Sequence, residues 1–103
     1  MKKILYLKLP NGIEPFREWI KKLDSSSRSR IRVLIDRAAA GGSRKNIKSL
    51  GDGIFEIKAK FGPGYRIYFC EMDRVIILLL LGGDKSTQER DVQQAKEYRR
   101  KYV

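Results

Sequence analysis

Alternating apolar and polar side chains predict a β-hairpin in the middle of the chain, over residues 50–70. One face of this hairpin is apolar and consists of Phe55, Ile57, Ala59, Phe61, Tyr65, Ile67 and Phe69. The other face carries Glu56, Lys58, Lys60, Arg66, Tyr68 and Cys70. Because successive side chains point to opposite faces of a strand, the pattern predicts one core face and one cationic face.

The register of the hairpin follows from the requirement that the two apolar sets share a face. A slip by one residue would turn the basic side chains onto the core, so the register is strongly specified. We therefore predict an odd-length turn at residues 62–64. In that register Lys60 lies opposite Arg66, and Lys58 lies opposite Tyr68.

The segments around the hairpin predict a small α+β domain. Apolar residues at spacings of three and four indicate helices, and a continuous apolar run indicates a strand covered on both faces. Before the hairpin, the predicted elements are a strand over 4–9, a helix over 14–23, and a second helix between the Asp24–Ser27 cap and Gly41. After the hairpin, they are a strand over 75–81 and a helix that begins at Ser86 and runs towards Lys101. Ser86 and Glu89 are predicted to form the capping box of that last helix. Residues 1–103 then form one domain of order β-α-α-β-β-β-α, whose small, curved, mainly antiparallel sheet has its helices packed on one face.

Charge and residue usage narrow the function. The chain has 23 Lys and Arg against 12 Asp and Glu, a formal net charge of +11, which favours nucleic acid as a partner and a membrane surface second. No histidine and one cysteine, Cys70, exclude the usual zinc sites and His-dependent catalysis, so we expect neither metal nor cofactor. The longest apolar run, 75–81, is far shorter than the ~20 residues of a membrane span. We expect a soluble cytoplasmic protein with no membrane partner.

Two further basic sites lie outside the hairpin. Residues 43–49 form a polar linker whose cations, Arg44, Lys45 and Lys48, either contact phosphates or belong to a solvated loop. Lys85 lies between the end of the buried strand and the start of the last helix. Helix N-termini attract anions, so this position is suited to a phosphate.

Five groups of residues, in this order along the chain, resemble the RelE/HigB-like type II toxins. The groups are Phe16-x-x-Trp19-Ile20-x-x-Leu23-Asp24, Leu50-Gly51-x-Gly53-x-Phe55-Glu56-Ile57, Gly62-x-Gly64-Tyr65-Arg66-Ile67-Tyr68, Leu79-x-x-Gly82-Gly83-Asp84-Lys85-Ser86 and Ala95-Lys96-x-Tyr98. They resemble in particular the branch called addiction module killer proteins, which contains phage-derived Gp49-like and HigB proteins. The match spans essentially the whole chain.

This resemblance implies a RelE-like fold and a ribosome-dependent, metal-independent endoribonuclease that cuts mRNA and arrests translation. It also implies a cognate antitoxin, often a helix-turn-helix protein, through which alone the toxin would reach operator DNA. Two other functions stay open: a ParE-like toxin that inhibits DNA gyrase, and a non-catalytic basic protein that binds nucleic acid or the ribosome.

The resemblance also implies a site on the cationic face of the hairpin. The catalytic candidates are Arg66, Lys58 and Lys85, and Lys58 stands where the family commonly has arginine, which keeps the charge but loses the planar fork. The RNA-binding candidates are Lys60, Tyr68, Arg44, Lys45 and Lys48. Glu56 and Tyr98 are supporting candidates. Glu56 serves as a weak base, orients a lysine or is a structural ion-pair partner. Tyr68 either stacks on a base or packs against Lys58.

Overall fold

A five-stranded sheet of order β1-β5-β4-β3-β2 forms the centre of the computed structural model, which describes residues 1–42 and 44–103. The strands are β1 (Lys3–Tyr6), β2 (Ile47–Gly51), β3 (Ile54–Lys58), β4 (Arg66–Met72) and β5 (Ile76–Gly83). The helices are α1 (Pro15–Ile20), α2 (Ser25–Ala39) and α3 (Gln88–Tyr102), with a 3₁₀ turn at Lys85–Thr87. Only the pairing of β1 with β5 is parallel. The predicted α+β class is confirmed and is consistent with a small RelE-like fold.

Local signals in the sequence start the helices. Pro15 occupies the first turn of α1, where its missing N–H is not needed. Asp24 caps α2 by accepting hydrogen bonds from the Ser27 N–H at 3.0 Å and the Ser27 hydroxyl at 2.7 Å, and these bonds lower the pKa of Asp24. The last helix begins differently from the prediction. The capping box lies on the preceding 3₁₀ turn and consists of Asp84 and Thr87, and Asp84 also accepts the Ser86 N–H at 2.8 Å. Helix α3 itself follows from Thr87, which makes no side-chain capping bond to the described residues.

Helices cover both faces of the sheet, so the prediction that all of them pack on one face was wrong. Helices α1 and α2 pack Phe16, Ile31 and Ile35 against the sheet face that carries Ile57, Ile67, Phe69 and Leu79. Helix α3 packs Ala95 against the opposite face, which carries Ile54, Tyr68, Cys70, Leu78 and Leu80, and so forms a second core. The physical reason is that β4 and β5 are apolar on both sides, and the apolar stripe of α3 buries the second side.

The hairpin of β3 and β4 differs from the predicted register by two residues. Lys58 lies opposite Arg66, and Glu56 lies opposite Tyr68. The connection is longer than three residues because the Ala59 N–H donates to the Tyr65 carbonyl at 2.9 Å. A shift of two residues preserves which side chains share a face, so the predicted membership of each face is confirmed. The second face is not the predicted cationic surface along its whole length, because Glu56, Arg66, Tyr68 and Cys70 are buried on it.

Strand β2 replaces the last three residues of the predicted linker over 43–49, whose first residue, Ser43, lies outside the described residues. This strand pairs with β3 through a tight turn in which Gly51, Asp52 and Gly53 have φ of 84°, 53° and 75°. It is an edge strand in which Lys48 and Ser49 are both exposed. An exposed edge strand lacks clean apolar alternation, and this explains why the pattern indicated a linker.

Two adjacent glycines end β5 because both faces are crowded there. A Cβ on Gly82 would lie 2.2 Å from the ring of Trp19, on the α1 side. A Cβ on Gly83 would lie 1.9 Å from the Asp91 carboxylate, on the α3 side. Trp19 therefore anchors α1 against the bare backbone of β5, as its position on the apolar stripe predicts.

We expect Gly82→Ala to lower the free energy of unfolding by about 1–3 kcal/mol, because the indole ring of Trp19 must move out of a packed position. Urea denaturation monitored by tryptophan fluorescence measures this loss. Gly42→Ala is the matched control, since a Cβ there would meet its nearest atom at 3.4 Å. Equal stability losses in the two variants would contradict the crowding at Gly82.

Candidate active site

One row of residues crosses the sheet where β3 ends and β4 begins. Lys58 pairs with Arg66, and Arg66 pairs with Gly83. On the other side of Lys58, its N–H donates to the Asn46 carbonyl at 2.9 Å. Lys85 follows Gly83 by two residues. The structure therefore brings the predicted catalytic residues to one edge of the sheet, which we call the basic edge (Lys58, Arg66 and Lys85).

The loop between β3 and β4 closes over this edge at Gly64. A Cβ on Gly64 would lie 3.1 Å from Arg66 Nη1 and 3.6 Å from Lys85 Cβ. Gly64 also has a φ of 79°, which glycine adopts without strain. Its missing side chain thus allows the loop, Arg66 and Lys85 to approach one another closely.

Arg66 is the buried member of the basic edge, with 5% of its surface exposed. Its Nη1 donates to the Gly64 carbonyl at 2.7 Å, and its Nε lies 4.0 Å from Oε2 of Glu56. The Nε atom has no hydrogen-bond partner among the described residues. Lys58 and Lys85 on either side are exposed. The edge therefore presents two exposed cations around one guanidinium that the protein holds in place.

Glu56 connects Arg66 to the last helix. The carboxylate is 4% exposed and accepts a hydrogen bond from Gln88 Nε2 at 3.0 Å. Gln88 is the first residue of α3. Contacts with Arg66 and Gln88 on the same carboxylate oxygen favour the ion-pair role for Glu56 over the role of a base.

Tyr68 is fully buried, so the prediction that it stacks on an RNA base was wrong. Helix α3 covers the middle of the predicted cationic face, and only its end remains accessible. Burial raises the pKa of the Tyr68 hydroxyl, and the carboxylates of Glu56 and Asp91 raise it further. Tyr68 therefore stays neutral and belongs to the second core.

Asp91 and Gln88 were missed by the sequence reasoning. Asp91 is 4% exposed, and its Oδ2 accepts a hydrogen bond from the Thr87 hydroxyl at 2.5 Å. The signal that identifies these residues is their spacing. Gln88, Asp91 and Ala95 recur at intervals of three and four, which places two polar residues on the buried stripe of α3.

The remaining RNA-binding candidates divide into two groups. Lys60 is exposed two residues after Lys58, and Lys48 is exposed on β2 opposite Glu56, so both lie near the basic edge. Arg44 instead lies 3.7 Å from Glu71 and 5.5 Å from the Phe55 ring centroid, on the α1–α2 side of the sheet. Glu71 is at the far end of β4 from Arg66, so Arg44 is not part of the basic edge. Lys45 is exposed in the same segment.

Tyr98 is also distant from the basic edge. It lies two helical turns, about 10 Å, beyond Asp91 along α3. Its neighbour Arg99 packs against Gly53, at the opposite end of β3 from Lys58. Burial raises the pKa of Tyr98. The structure thus places Tyr98 in the second core and not beside Arg66.

Residues 1–42 and 44–103 contain neither a metal-binding cluster nor a helix that could span a membrane. In that part of the chain no three His, Cys, Asp or Glu side chains lie together as a metal site requires. None of the helices there is both long enough and apolar enough to cross a membrane.

Comparisons with known proteins cover the whole basic edge. A family model described as phage-derived protein Gp49-like matches residues 18–102. A protein of Haemophilus influenzae (strain KW20/Rd), described only as uncharacterized, is 43% identical over 82 residues. That alignment covers 79% of this chain and 82% of the relative. The family match includes strands β2 to β5, helices α2 and α3, and every residue of the basic edge.

Proposed function

Because this chain belongs to the phage-derived Gp49-like family, which is associated with the toxins of toxin–antitoxin systems, we propose that it is a type II toxin that cleaves mRNA on the ribosome. The observation that carries the proposal is the basic edge, where Arg66 is fixed between Lys58 and Lys85. The net charge of +11 supports a polyanionic substrate.

Cleavage of RNA without a metal starts with attack of a ribose 2′-oxygen on the adjacent phosphorus. The bond between phosphorus and the 5′-oxygen then breaks, and a cyclic phosphate and a 5′-hydroxyl remain. The phosphorane between these steps carries extra negative charge on its equatorial oxygens. The protein must stabilise that charge and return a proton to the leaving 5′-oxygen, while water takes the proton from the 2′-oxygen and restores the proton that the protein donates.

Arg66 is assigned to the phosphorane. Its guanidinium carries planar donors that match phosphate oxygens. The Gly64 carbonyl and Glu56 hold it, so little reorientation is needed when charge develops. An exposed arginine on a solvated strand would lack this preorganisation.

Lys58 and Lys85 are assigned to binding and proton transfer. Each ammonium group has three donors for phosphate oxygens, and each lies on one side of Arg66. Either lysine can deliver the proton to the 5′-oxygen. The ribosome holds the mRNA, so the exposed basic edge does not need to bind RNA tightly on its own.

The partners follow from the same proposal. A cognate antitoxin, of the helix-turn-helix type, covers the toxin and carries it to operator DNA. Ribosomes and mRNA are the targets in its absence. Cleavage of mRNA distinguishes this proposal from a gyrase-inhibiting toxin, and ribosome binding without cleavage would identify the non-catalytic alternative.

Arg66→Ala is expected to reduce cleavage about 10²- to 10³-fold, the usual cost of losing a preorganised donor to a developing oxyanion. Arg66→Lys keeps the charge but loses the fork, so we expect an intermediate loss. The measurement is the rate at which purified ribosomes with a defined mRNA yield cut product, with circular dichroism to verify folding of each variant.

Arg100→Ala is the matched control, because it removes an exposed arginine from α3 and the same unit of charge. It should cleave at the wild-type rate. If a folded Arg66→Ala protein also cleaves at that rate, the role of Arg66 is refuted. If the wild-type protein produces no cut mRNA, the proposed function fails.

A further inference from the structure

A cleft of about 310 Å³ opens beside the basic edge, between α2 and the loop that joins β3 to β4. We call it the α2 cleft. Its walls combine cations from two elements with apolar surface and one amide. Lys58 belongs both to this cleft and to the basic edge, so the two sites are continuous.

Over the part of the chain that the structure describes, four cations line the α2 cleft and no carboxylate does. The cations are Arg30, Arg37, Lys58 and Lys60. Among the residues that the structure describes, none of the four takes part in an ion pair. Like charges that converge without a counter-charge repel one another, and a bound anion relieves that repulsion.

A flat stacking surface forms part of the wall. The guanidinium of Arg30 lies 3.8 Å from the ring centroid of Phe61. Phe61 is itself held edge-on by Tyr65, with ring centroids 5.6 Å apart. Aromatic rings and guanidinium planes are the surfaces on which unpaired RNA bases stack.

Asn46, which lines the same cleft, has an unused hydrogen-bond acceptor. Its Oδ1 atom is buried with no hydrogen-bond partner among the described residues, so a ligand in the cleft reaches it once the amide turns outwards. A buried acceptor without a donor is unfavourable, so a ligand that supplies an N–H is favoured. Adenine, cytosine and guanine carry an exocyclic amino group, and uracil does not.

The position of the α2 cleft relative to Arg66 is set by the sheet. Asn46 is the neighbour of Lys58 across one strand, and Lys58 is the neighbour of Arg66 across the next. Adjacent strands are about 4.8 Å apart, so the cleft begins within roughly 10 Å of Arg66. A single strand of RNA whose phosphate contacts Arg66 can place an adjacent nucleotide in the cleft.

We propose that the α2 cleft binds one nucleotide of single-stranded RNA next to the scissile phosphate, and that it selects bases with an amino group. The base stacks against Arg30 and Phe61 and donates its amino hydrogen to Asn46 Oδ1. Its phosphate contacts Arg37 and Lys60. This inference rests on the proposed function, because it assigns the cleft to the same RNA.

The test uses fluorescein-labelled 2′-O-methyl RNA tetranucleotides, A4, C4 and U4, which lack the attacking hydroxyl. Fluorescence anisotropy at fixed salt gives the dissociation constants for the wild-type protein and its variants. Arg30→Lys retains the charge and loses the stacking plane, so we expect binding about 5- to 150-fold weaker. Asn46→Ala should remove the preference for A4 and C4 over U4.

Arg100→Lys is the control, since it makes the same substitution outside the cleft and should bind A4 as the wild type does. The inference is overturned if the wild type fails to bind A4 at millimolar protein, or if folded Arg30→Lys and Asn46→Ala bind all three oligonucleotides like the wild type. Those results leave ribosomal cleavage untouched. Binding that depends on Arg30 and Asn46, without cleavage on ribosomes, would support the cleft and refute the nuclease.

Discussion

Glu56→Ala should lower the free energy of unfolding by about 3–5 kcal/mol, the usual cost of leaving a buried charge without its partner. The substitution leaves the guanidinium of Arg66, a residue that is 5% exposed, without its carboxylate partner. It also removes the acceptor of the Gln88 side chain on α3. Equilibrium unfolding in urea measures the loss.

Two variants separate this effect from a generic loss of a carboxylate. Glu89→Ala removes an exposed acid from the first turn of α3 and should cost less than about 1 kcal/mol. The double variant Glu56→Leu with Arg66→Met removes both charges, so we expect it to regain most of the lost stability. If Glu56→Ala is no less stable than Glu89→Ala, the buried pair does not contribute as described.

Phe16→Ala should lower the free energy of unfolding by a similar amount, about 3–5 kcal/mol, because it opens a cavity in the core under α1. Phe16 is 1% exposed, and its ring centroid lies 5.8 Å from that of Tyr6 and 5.7 Å from that of Trp19. The ring therefore joins α1 to β1 and supports the indole that packs on Gly82. Thermal unfolding should show a fall in Tm of at least about 10 °C for a domain of this size.

Phe16→Leu and Ile13→Ala calibrate that result. Phe16→Leu keeps an apolar side chain in the cavity and should lose clearly less stability than Phe16→Ala. Ile13 is 45% exposed just before α1, so Ile13→Ala should change Tm by only a few degrees. If the Phe16→Ala and Ile13→Ala proteins have the same Tm, Phe16 does not belong to the core.

Structural features that follow from a short repeat of apolar residues, or from hydrogen bonds between near neighbours in the sequence, were predictable. The faces of the hairpin follow from a period of two, and they survive the difference of two residues between the predicted and observed registers. The start of α2 at Asp24 follows from local hydrogen bonding. Turn length is less constrained, because a Gly62-Pro63-Gly64 sequence fits loops of several lengths.

The basic edge was partly predictable for the same reason. Lys58 and Arg66 share a face by alternation, and Lys85 follows the end of the next strand by two residues, so the sequence brings them close together. The burial of Tyr68 was not predictable from the hairpin alone, because it depends on which face α3 covers. Asn46 was missed because its role depends on a packed neighbour, α2, that is distant in sequence.

Strand β5 also determines when the sheet can form completely during synthesis of the chain. Both β1 and β4 pair with it, so Lys3 must meet Ile76, more than seventy positions later. Such distant pairing closes a long loop and disfavours early assembly. A nascent chain that ends before β5 contains no partner for β1 in the sheet, and it also lacks Lys85. The N-terminal part of this protein therefore emerges with Lys58 and Arg66 but without the third residue of the basic edge, Lys85.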